Sequence, residues 1–198
     1  MVWSLPAGRY DAIRSTVADL IEDWGISVYP FSIWSLLCKM RIRAISYSSL
    51  PDGTREELLS KSKDAFTIYP PDFNPVRTVI FYNDDDEARN RERIRFTLAH
   101  ELGHLILMHP DVYDEVYERE ADIFANYLLV PAPLIIEYSE IDYSVVSDDF
   151  VVSHSCAASA CDRAAKRRLY GPSGKTEYEQ RILSSCRLAE GGGQLAHI

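Results

Sequence analysis

The spacing of apolar side chains along the chain predicts a series of helices. In residues 8–24 the apolar positions 13, 17, 20, 21 and 24 recur with helical spacing, and Gly25 follows as a suitable stop. Such spacing places the apolar side chains on one face, where they can be buried. The same reasoning predicts further helices over residues 31–40, 115–129 and 154–169, and one that begins near Pro133.

Three segments have the pattern of short strands instead. Residues 41–47 alternate between polar and apolar side chains, and residues 66–69 and 78–82 lie on either side of a proline-rich loop. A turn signal at 51–53 precedes a polar stretch, 54–64, which is predicted as a loop or a short helix. Together these segments predict a small, mostly antiparallel sheet within an α+β fold.

The most apolar helix is predicted over residues 87–108. Acidic side chains at 84–86 favour its start, and Pro110 closes it. Its later half is apolar on nearly every side, which is typical of a helix buried inside the protein. We expect residues 1–140 to form the core domain, and residues 141–198 to form a C-terminal helical region packed on it, with a loose tail from about residue 190.

The composition is that of an ordinary soluble globular protein. The chain has 198 residues, of which 46% are apolar and 26% charged. No apolar run approaches the ~20 residues needed to cross a bilayer, and the first residues lack the pattern of a secretory signal, so we expect a cytoplasmic protein with no membrane partner. The four cysteines include no C-x-x-C pair, which indicates reduced thiols.

The net charge of −9 bears on the partners of the chain. A nucleic-acid backbone is repelled by such a field, so direct nucleic-acid binding is not expected. A basic protein, or the basic part of one, is attracted. No pattern in the sequence predicts an oligomeric state.

The candidate chemistry lies in the buried helix, at His100-Glu101-Leu102-Gly103-His104, an H-E-x-x-H motif. Histidines four residues apart lie on one face of a helix, and both rings can reach one ion at ~2.0–2.1 Å. Glu101 is rotated from His100 by about 100°, so it can reach a water on the metal and act as the catalytic general base. The alternative is a pair of satisfied core histidines, but burying two imidazoles and a carboxylate together is costly without a metal.

A catalytic zinc also needs a third protein ligand and one open position. His109 does not fit the elongated motif with three histidines, because Leu107 and Pro110 stand where that motif has glycine and histidine. We therefore interpret His109 as a residue behind the metal ligands or on the surface.

The third ligand is expected in the acidic segment 118–122. On a helix over residues 115–129, Glu118 and Asp122 share one face with small residues that allow close packing on the metal helix. Glu118 is the predicted ligand, and Asp122 is predicted to accept the N–H of a ligating histidine. Glu120 lies about 200° from Glu118 around the helix and stays open as the alternative ligand.

The oxyanion formed during peptide hydrolysis needs a hydrogen-bond donor besides the metal. The candidate donors are Tyr113, Tyr117, Tyr127 and His154. For each of them, ordinary packing or surface exposure is the alternative interpretation.

Two segments of the chain together carry a family pattern. Residues 95–104 end in the H-E-x-x-H motif, and residues 118–131 follow with Glu-x-Glu-Ala-Asp, then Phe-Ala, Leu-Leu and a closing proline. This combination resembles the ImmA/IrrE family of metallopeptidases. The sequence departs from the usual pattern at Asp122, where asparagine is common.

The resemblance implies a zincin-like metallopeptidase core in a bacterial or phage regulatory setting. It implies Zn²⁺ held by His100, His104 and a glutamate of segment 118–120, with Glu101 catalytic. It also implies a protein substrate, since family members commonly cleave or inactivate a helix-turn-helix transcriptional repressor.

The leading hypothesis is therefore a zinc-dependent endopeptidase that acts on such a repressor. The alternative is a non-enzymatic metal-binding interaction module, which binds a repressor or belongs to a toxin–antitoxin pair. The intact motif argues against that alternative, because a pure binding protein does not need Glu101. A weaker hypothesis is a DNA-binding regulator that uses the helices of residues 140–198, which the net charge opposes.

Overall fold

The computed structural model describes residues 5–70, 72, 74–84 and 91–189. Within this part of the chain the structure is mixed α+β, mostly helical, with two small sheets. The helices are α1 Ala7–Asp23, α2 Ile33–Lys39, α3 Asp52–Lys61, α4 Arg91–Ile106, α5 Glu115–Leu129, α6 Ala132–Tyr138, α7 Tyr143–Phe150, α8 His154–Tyr170 and α9 Glu177–Ser185. The strands are β1 Val28–Tyr29, β2 Arg43–Ser46, β3 Ala65–Ile68, β4 Val79–Tyr82 and β5 Arg187–Leu188.

Most helices lie where the apolar spacing predicts them. Helices α1, α2, α5, α6 and α8 agree with the predicted positions to within two residues. The polar stretch 54–64 is mostly helical, but its helix α3 begins at Asp52, inside the segment predicted as a turn. Part of the predicted helix start at 87–90, and the predicted loose tail from residue 190, lie outside the described residues.

The chain divides into two compact units. One consists of Met1–Phe31 together with Asp122–Ile198, and the other of Ser32–Ala121. Helix α5 contributes its first turns to the second unit and its remainder to the first. The sequence predicts a peptidase core over residues 1–140 and a C-terminal helical region over residues 141–198. That division by function stays a prediction.

The unit of residues 32–121 is built on a three-stranded sheet in the order β2-β4-β3. Strand β3 is antiparallel to β4, as predicted for segments joined by a loop, with Phe66 opposite Phe81. Strand β2 is parallel to β4, with Ile45 opposite Phe81, so the sheet is mixed rather than antiparallel. The difference arises because α3 and β3 separate β2 from β4, and a crossover of that length permits parallel pairing that a side-chain pattern does not reveal.

Helix α4 packs against β3 and β4. Leu98, Ala99 and Leu102 are fully buried, and Gly103 is buried beside them. As predicted, the H-E-x-x-H helix is an interior element, so the residues of its motif are held by packing.

The other unit is mostly helical. Helix α8 packs against α6 and α7, and α9 packs against α1 and α6. Strands β1 and β5 form a short parallel pair, in which the buried Tyr29 donates a hydrogen bond from its hydroxyl to the Leu128 carbonyl at 2.9 Å. Among the described helices, none is both long and apolar enough to cross a membrane.

Candidate metal centre

Helix α4 presents two histidines side by side. The Nε2 atoms of His100 and His104 lie 3.0 Å apart, and the ring centroids are 4.8 Å apart. Both side chains are 17% exposed. Two ring nitrogens that converge in this way can share one cation, as the i, i+4 spacing predicts.

Glu118 faces these histidines from the first turn of α5. Its Oε2 atom is 3.3 Å from His100 Nε2, and its Oε1 atom is 3.6 Å from His104 Nε2. Asp114 fixes the start of α5, because its side chain accepts the Val116 N–H at 2.7 Å and its carbonyl accepts the Glu118 N–H at 3.0 Å. The backbone that carries Glu118 is thus held in place by the helix start.

The donor atoms have the spacing of a tetrahedral cation site. Ligands ~2.0–2.1 Å from Zn²⁺ in tetrahedral geometry lie about 3.4 Å from one another, and the separations here are 3.0, 3.3 and 3.6 Å. His100, His104 and Glu118 form a cluster of possible metal ligands among the described residues. Two imidazoles and one carboxylate are a donor set of catalytic zinc sites. Glu118 is 41% exposed, which leaves one side of the cluster open to water or a substrate.

Glu101 is buried beside the cluster, with 9% of its surface exposed. Its Oε2 atom accepts a hydrogen bond of 2.6 Å from the Thr67 hydroxyl, which belongs to the edge strand β3. Burial raises the pKa of Glu101, while the hydrogen bond from Thr67 and the nearby His100 partly offset that rise. A carboxyl group with a raised pKa accepts a proton more readily, which suits a general base.

A second arrangement of polar groups lies behind His104. Its Nδ1 atom is 3.0 Å from His109 Nδ1, and His109 Nε2 is 3.1 Å from Glu120 Oε2. His109 is 3% exposed and Glu120 is 0% exposed. His109 is therefore buried behind the candidate ligand His104 and not on the surface, and Glu120 contacts His109.

Thr67 and Tyr69 both lie near the site, and neither is selected from the sequence. Thr67 is a polar residue within an apolar strand, and this pattern is too common to indicate a functional residue. Tyr69 donates a hydrogen bond of 2.5 Å to the His109 carbonyl, and burial, followed by the negative charges of Asp111 and Glu101, raises the pKa of its phenol. This phenol therefore stays protonated and anchors the segment that follows α4.

Asp122 lies one turn beyond Glu118 on α5, as predicted, and its side chain is exposed. Its predicted hydrogen bond to a ligating histidine stays a prediction. Helix α5 begins and ends where the sequence predicts, so the shared face of Glu118 and Asp122 follows from helical geometry.

The four candidate oxyanion donors lie in different surroundings. Tyr113 is 80% exposed, and the Tyr117 ring stacks on His109 with the centroids 4.7 Å apart. Tyr127 is buried, with its hydroxyl bonded to Arg14, and His154 is exposed at the start of α8. The role of each as an oxyanion donor stays a prediction.

Comparison with known proteins places this geometry in a family. Residues 54–159 match the family described as the IrrE N-terminal-like domain, a peptidase family. The radiation response metalloprotease IrrE of Deinococcus radiodurans is 37% identical over 81 aligned residues, and the match covers 34% of this chain and 24% of that protein. The chain thus matches about a quarter of the length of this curated relative. No solved structure matches the chain. The matched segment includes the H-E-x-x-H helix and the helix that carries Glu118, and the chain belongs to the ImmA/IrrE family of metallopeptidase domains.

Proposed function

We propose that this chain is a zinc-dependent endopeptidase of the ImmA/IrrE type, and that it cleaves or inactivates a helix-turn-helix transcriptional repressor in the cytoplasm. The observation that carries the proposal is the cluster of His100, His104 and Glu118 next to the buried Glu101. Three convergent donors and an adjacent base are the parts that metal-assisted hydrolysis requires.

The three ligands and the base have separate tasks in this proposal. His100, His104 and Glu118 would hold a divalent cation, which would supply Lewis acidity to polarise a peptide carbonyl and to lower the pKa of water. Glu101 takes a proton from the attacking water and passes it to the leaving amine. The Thr67 hydroxyl holds Glu101 Oε2 at 2.6 Å, so we assign the proton transfer to Oε1.

The fold and the partner belong to the same proposal. An interior H-E-x-x-H helix packed under a small sheet supports a zincin-like core, in which Asp122 orients a ligating histidine. The net charge of −9 favours a basic protein segment as the substrate, such as the DNA-contacting part of a repressor. Family resemblance supplies the class of repressor.

The test combines metal analysis with a cleavage assay. The purified chain and its Glu101→Gln variant are analysed for bound metals and incubated with the protein encoded by the adjacent gene. We expect about one zinc per chain in both proteins and cleavage by the unchanged chain alone, since the amide of glutamine cannot take a proton.

Two outcomes contradict the proposal. Full cleavage by Glu101→Gln removes Glu101 as the base. Loss of repression without cleavage, insensitive to chelators and to Glu101→Gln, supports the non-enzymatic binding module instead.

A further inference from the structure

We propose that His109 and Glu120 are positioning residues that hold His104 in the tautomer and orientation a metal ligand needs. The inference rests on the proposed metal site, and it assigns these two residues a task in building that site. Three buried or half-buried groups form a chain: His104, then His109, then Glu120. The geometry and the number of protons available to the two rings carry the inference.

The geometry is that of two successive hydrogen bonds. The Nδ1 atoms of His104 and His109 are 3.0 Å apart, and His109 Nε2 is 3.1 Å from Glu120 Oε2. Both separations lie within the range of N–H···N and N–H···O hydrogen bonds. His109 and Glu120 are 3% and 0% exposed, so bulk water does not compete for these contacts.

Only one order of protons is compatible with metal binding. Nε2 of His104 faces His100 and Glu118, so it must present a lone pair to a cation, and the ring proton of neutral His104 is then on Nδ1. That proton is donated to His109 Nδ1, which must be unprotonated. The proton of neutral His109 is therefore on Nε2, where it is donated to the Glu120 carboxylate.

The reverse order is incompatible with a metal. If His109 carried its proton on Nδ1 and donated it to His104, neutral His104 would carry its own proton on Nε2. That proton would point at the other ligands and block coordination. The acceptor at Glu120 favours a proton on His109 Nε2, so it selects the order that leaves His104 ready to bind.

The end of helix α4 places His109 for this contact. Met108 adopts a left-handed backbone conformation with φ 54°, its N–H bonds to the Leu105 carbonyl at 3.2 Å, and the His109 N–H bonds to the His104 carbonyl at 3.0 Å. This pair of bonds is a Schellman motif, which reverses the chain at the helix end. Because the chain reverses direction here, the His109 ring lies next to the His104 ring.

Further contacts hold the ring of His109 itself. The Tyr117 ring stacks on it at a centroid distance of 4.7 Å, and the Tyr69 hydroxyl donates to its carbonyl at 2.5 Å. An imidazole fixed on both its face and its backbone can orient a neighbour. A carboxylate–imidazole pair behind a ligand typically changes metal affinity 10–100-fold.

Two variants and a control test the inference by metal binding. The double variant His109→Phe with Glu120→Leu removes both hydrogen bonds and puts two apolar groups side by side. Glu120→Gln keeps an acceptor for His109 Nε2–H, and Glu115→Gln, an exposed position on the same helix, is the matched control. Zinc affinity is measured by competition with a chromophoric chelator, and the fold of the metal-free proteins by circular dichroism and thermal unfolding.

We expect the double variant to bind zinc 10–100-fold more weakly, and Glu115→Gln to bind it as the unchanged chain does. ¹⁵N NMR of the histidine rings in the zinc-loaded unchanged chain should show the proton of His104 on Nδ1 and that of His109 on Nε2. The same two tautomers should persist in Glu120→Gln. A purely structural role for His109 would not fix these tautomers.

A ring proton on His109 Nδ1, or unchanged zinc affinity in a folded double variant, overturns the inference. If the double variant does not fold, the tautomers measured in the unchanged chain still test the inference. These readouts need no substrate, so zinc binding without cleavage would contradict the proposed function alone. Absence of zinc binding by the unchanged chain would contradict both.

Discussion

At the scale of single residues, the candidate site combines groups that are close in sequence with groups that are distant. The sequence predicts the convergence of His100 and His104, because helical geometry alone brings them to one face. The bond between Thr67 and Glu101 joins residues 34 positions apart and depends on how α4 packs against β3. No local pattern in the sequence encodes that packing, so the sequence does not predict the hydrogen bond that holds Glu101.

The hydroxyl of Thr67 is expected to matter for catalysis and not for metal binding. In Thr67→Val the shape of the side chain is kept, but the hydrogen bond to the buried Glu101 is lost. A hydrogen bond to a charged group contributes about 1.5–3 kcal/mol, so kcat/KM for the protein substrate should fall roughly 10–100-fold. Zinc affinity should be unchanged, since the hydroxyl of Thr67 bonds to Glu101 and not to one of the three donors.

Thr67→Ser is the matched control for this prediction, because it keeps the hydroxyl and removes only a methyl group. It should retain most of the activity. Equal activity of the valine and serine variants would show that the hydrogen bond does not position Glu101.

At the scale of whole elements, apolar spacing predicts the long helices well and the short polar ones poorly. Helix α5 begins and ends where the apolar spacing predicts it, whereas that spacing does not predict α7 or α9. Helix α9 does have a sequence signal, the capping box of Thr176 and Glu179, in which each side chain bonds to the backbone of the other. The parallel pairing of β2 with β4 has none, because alternation fixes which face is buried and not the strand direction.

The backbone conformation of Met108, at the end of helix α4, predicts how a glycine there changes the stability of the protein. Met108 has φ 54°, a conformation that costs an L-residue with a side chain roughly 1–2 kcal/mol and that glycine adopts without that cost. Glycine also gives the unfolded chain more freedom, which offsets part of the gain. Met108→Gly should therefore raise the free energy of unfolding by up to about 1 kcal/mol, measured by urea denaturation.

Val151 ends helix α7 in the same left-handed conformation, with φ 52°. A glycine substitution at this position is a second test of the same strain argument. The branched side chain of Val151 fits the left-handed region less well, so Val151→Gly should stabilise at least as much. Met108→Gly should keep its zinc affinity, because the reversal that returns His109 to His104 is preserved. A loss of about 1 kcal/mol or more in Met108→Gly would contradict the strain argument.

At the scale of the whole molecule, the compact units do not follow the order of the chain. One unit is a continuous segment, Ser32–Ala121, whereas the other joins both ends of the chain. The matched family segment, residues 54–159, includes parts of both units. Family membership could be predicted because it depends on linear motifs. The units could not, because they depend on which distant segments pack together.

The unit that joins both chain ends is held partly by ion pairs of helix α9. Arg181 pairs with Asp19 on α1 at 2.7 Å and also with Glu22. Arg167 on α8 donates to Glu179 at 2.5 and 2.8 Å. Burial by itself raises the pKa of Glu179, but the hydrogen bonds from Arg167 and the Thr176 backbone outweigh it and lower the pKa below its ordinary value of 4.5.

This lowered pKa predicts that acid weakens the fold in a defined window. A carboxyl group whose pKa is lower in the folded state stabilises the protein above pH 4.5, and its contribution is lost as the pH falls through the folded pKa. Glu179→Gln should cost about 2 kcal/mol of unfolding free energy at pH 7, and its difference from the unchanged chain should shrink steadily below about pH 4.5. Urea denaturation of metal-free protein between pH 7 and pH 3 measures this difference, and Glu177→Gln, at an exposed position in the same helix turn, is the control. A difference that stays constant down to pH 3 would show that the charge of Glu179 does not contribute, and that its side chain acts through packing and neutral hydrogen bonds alone.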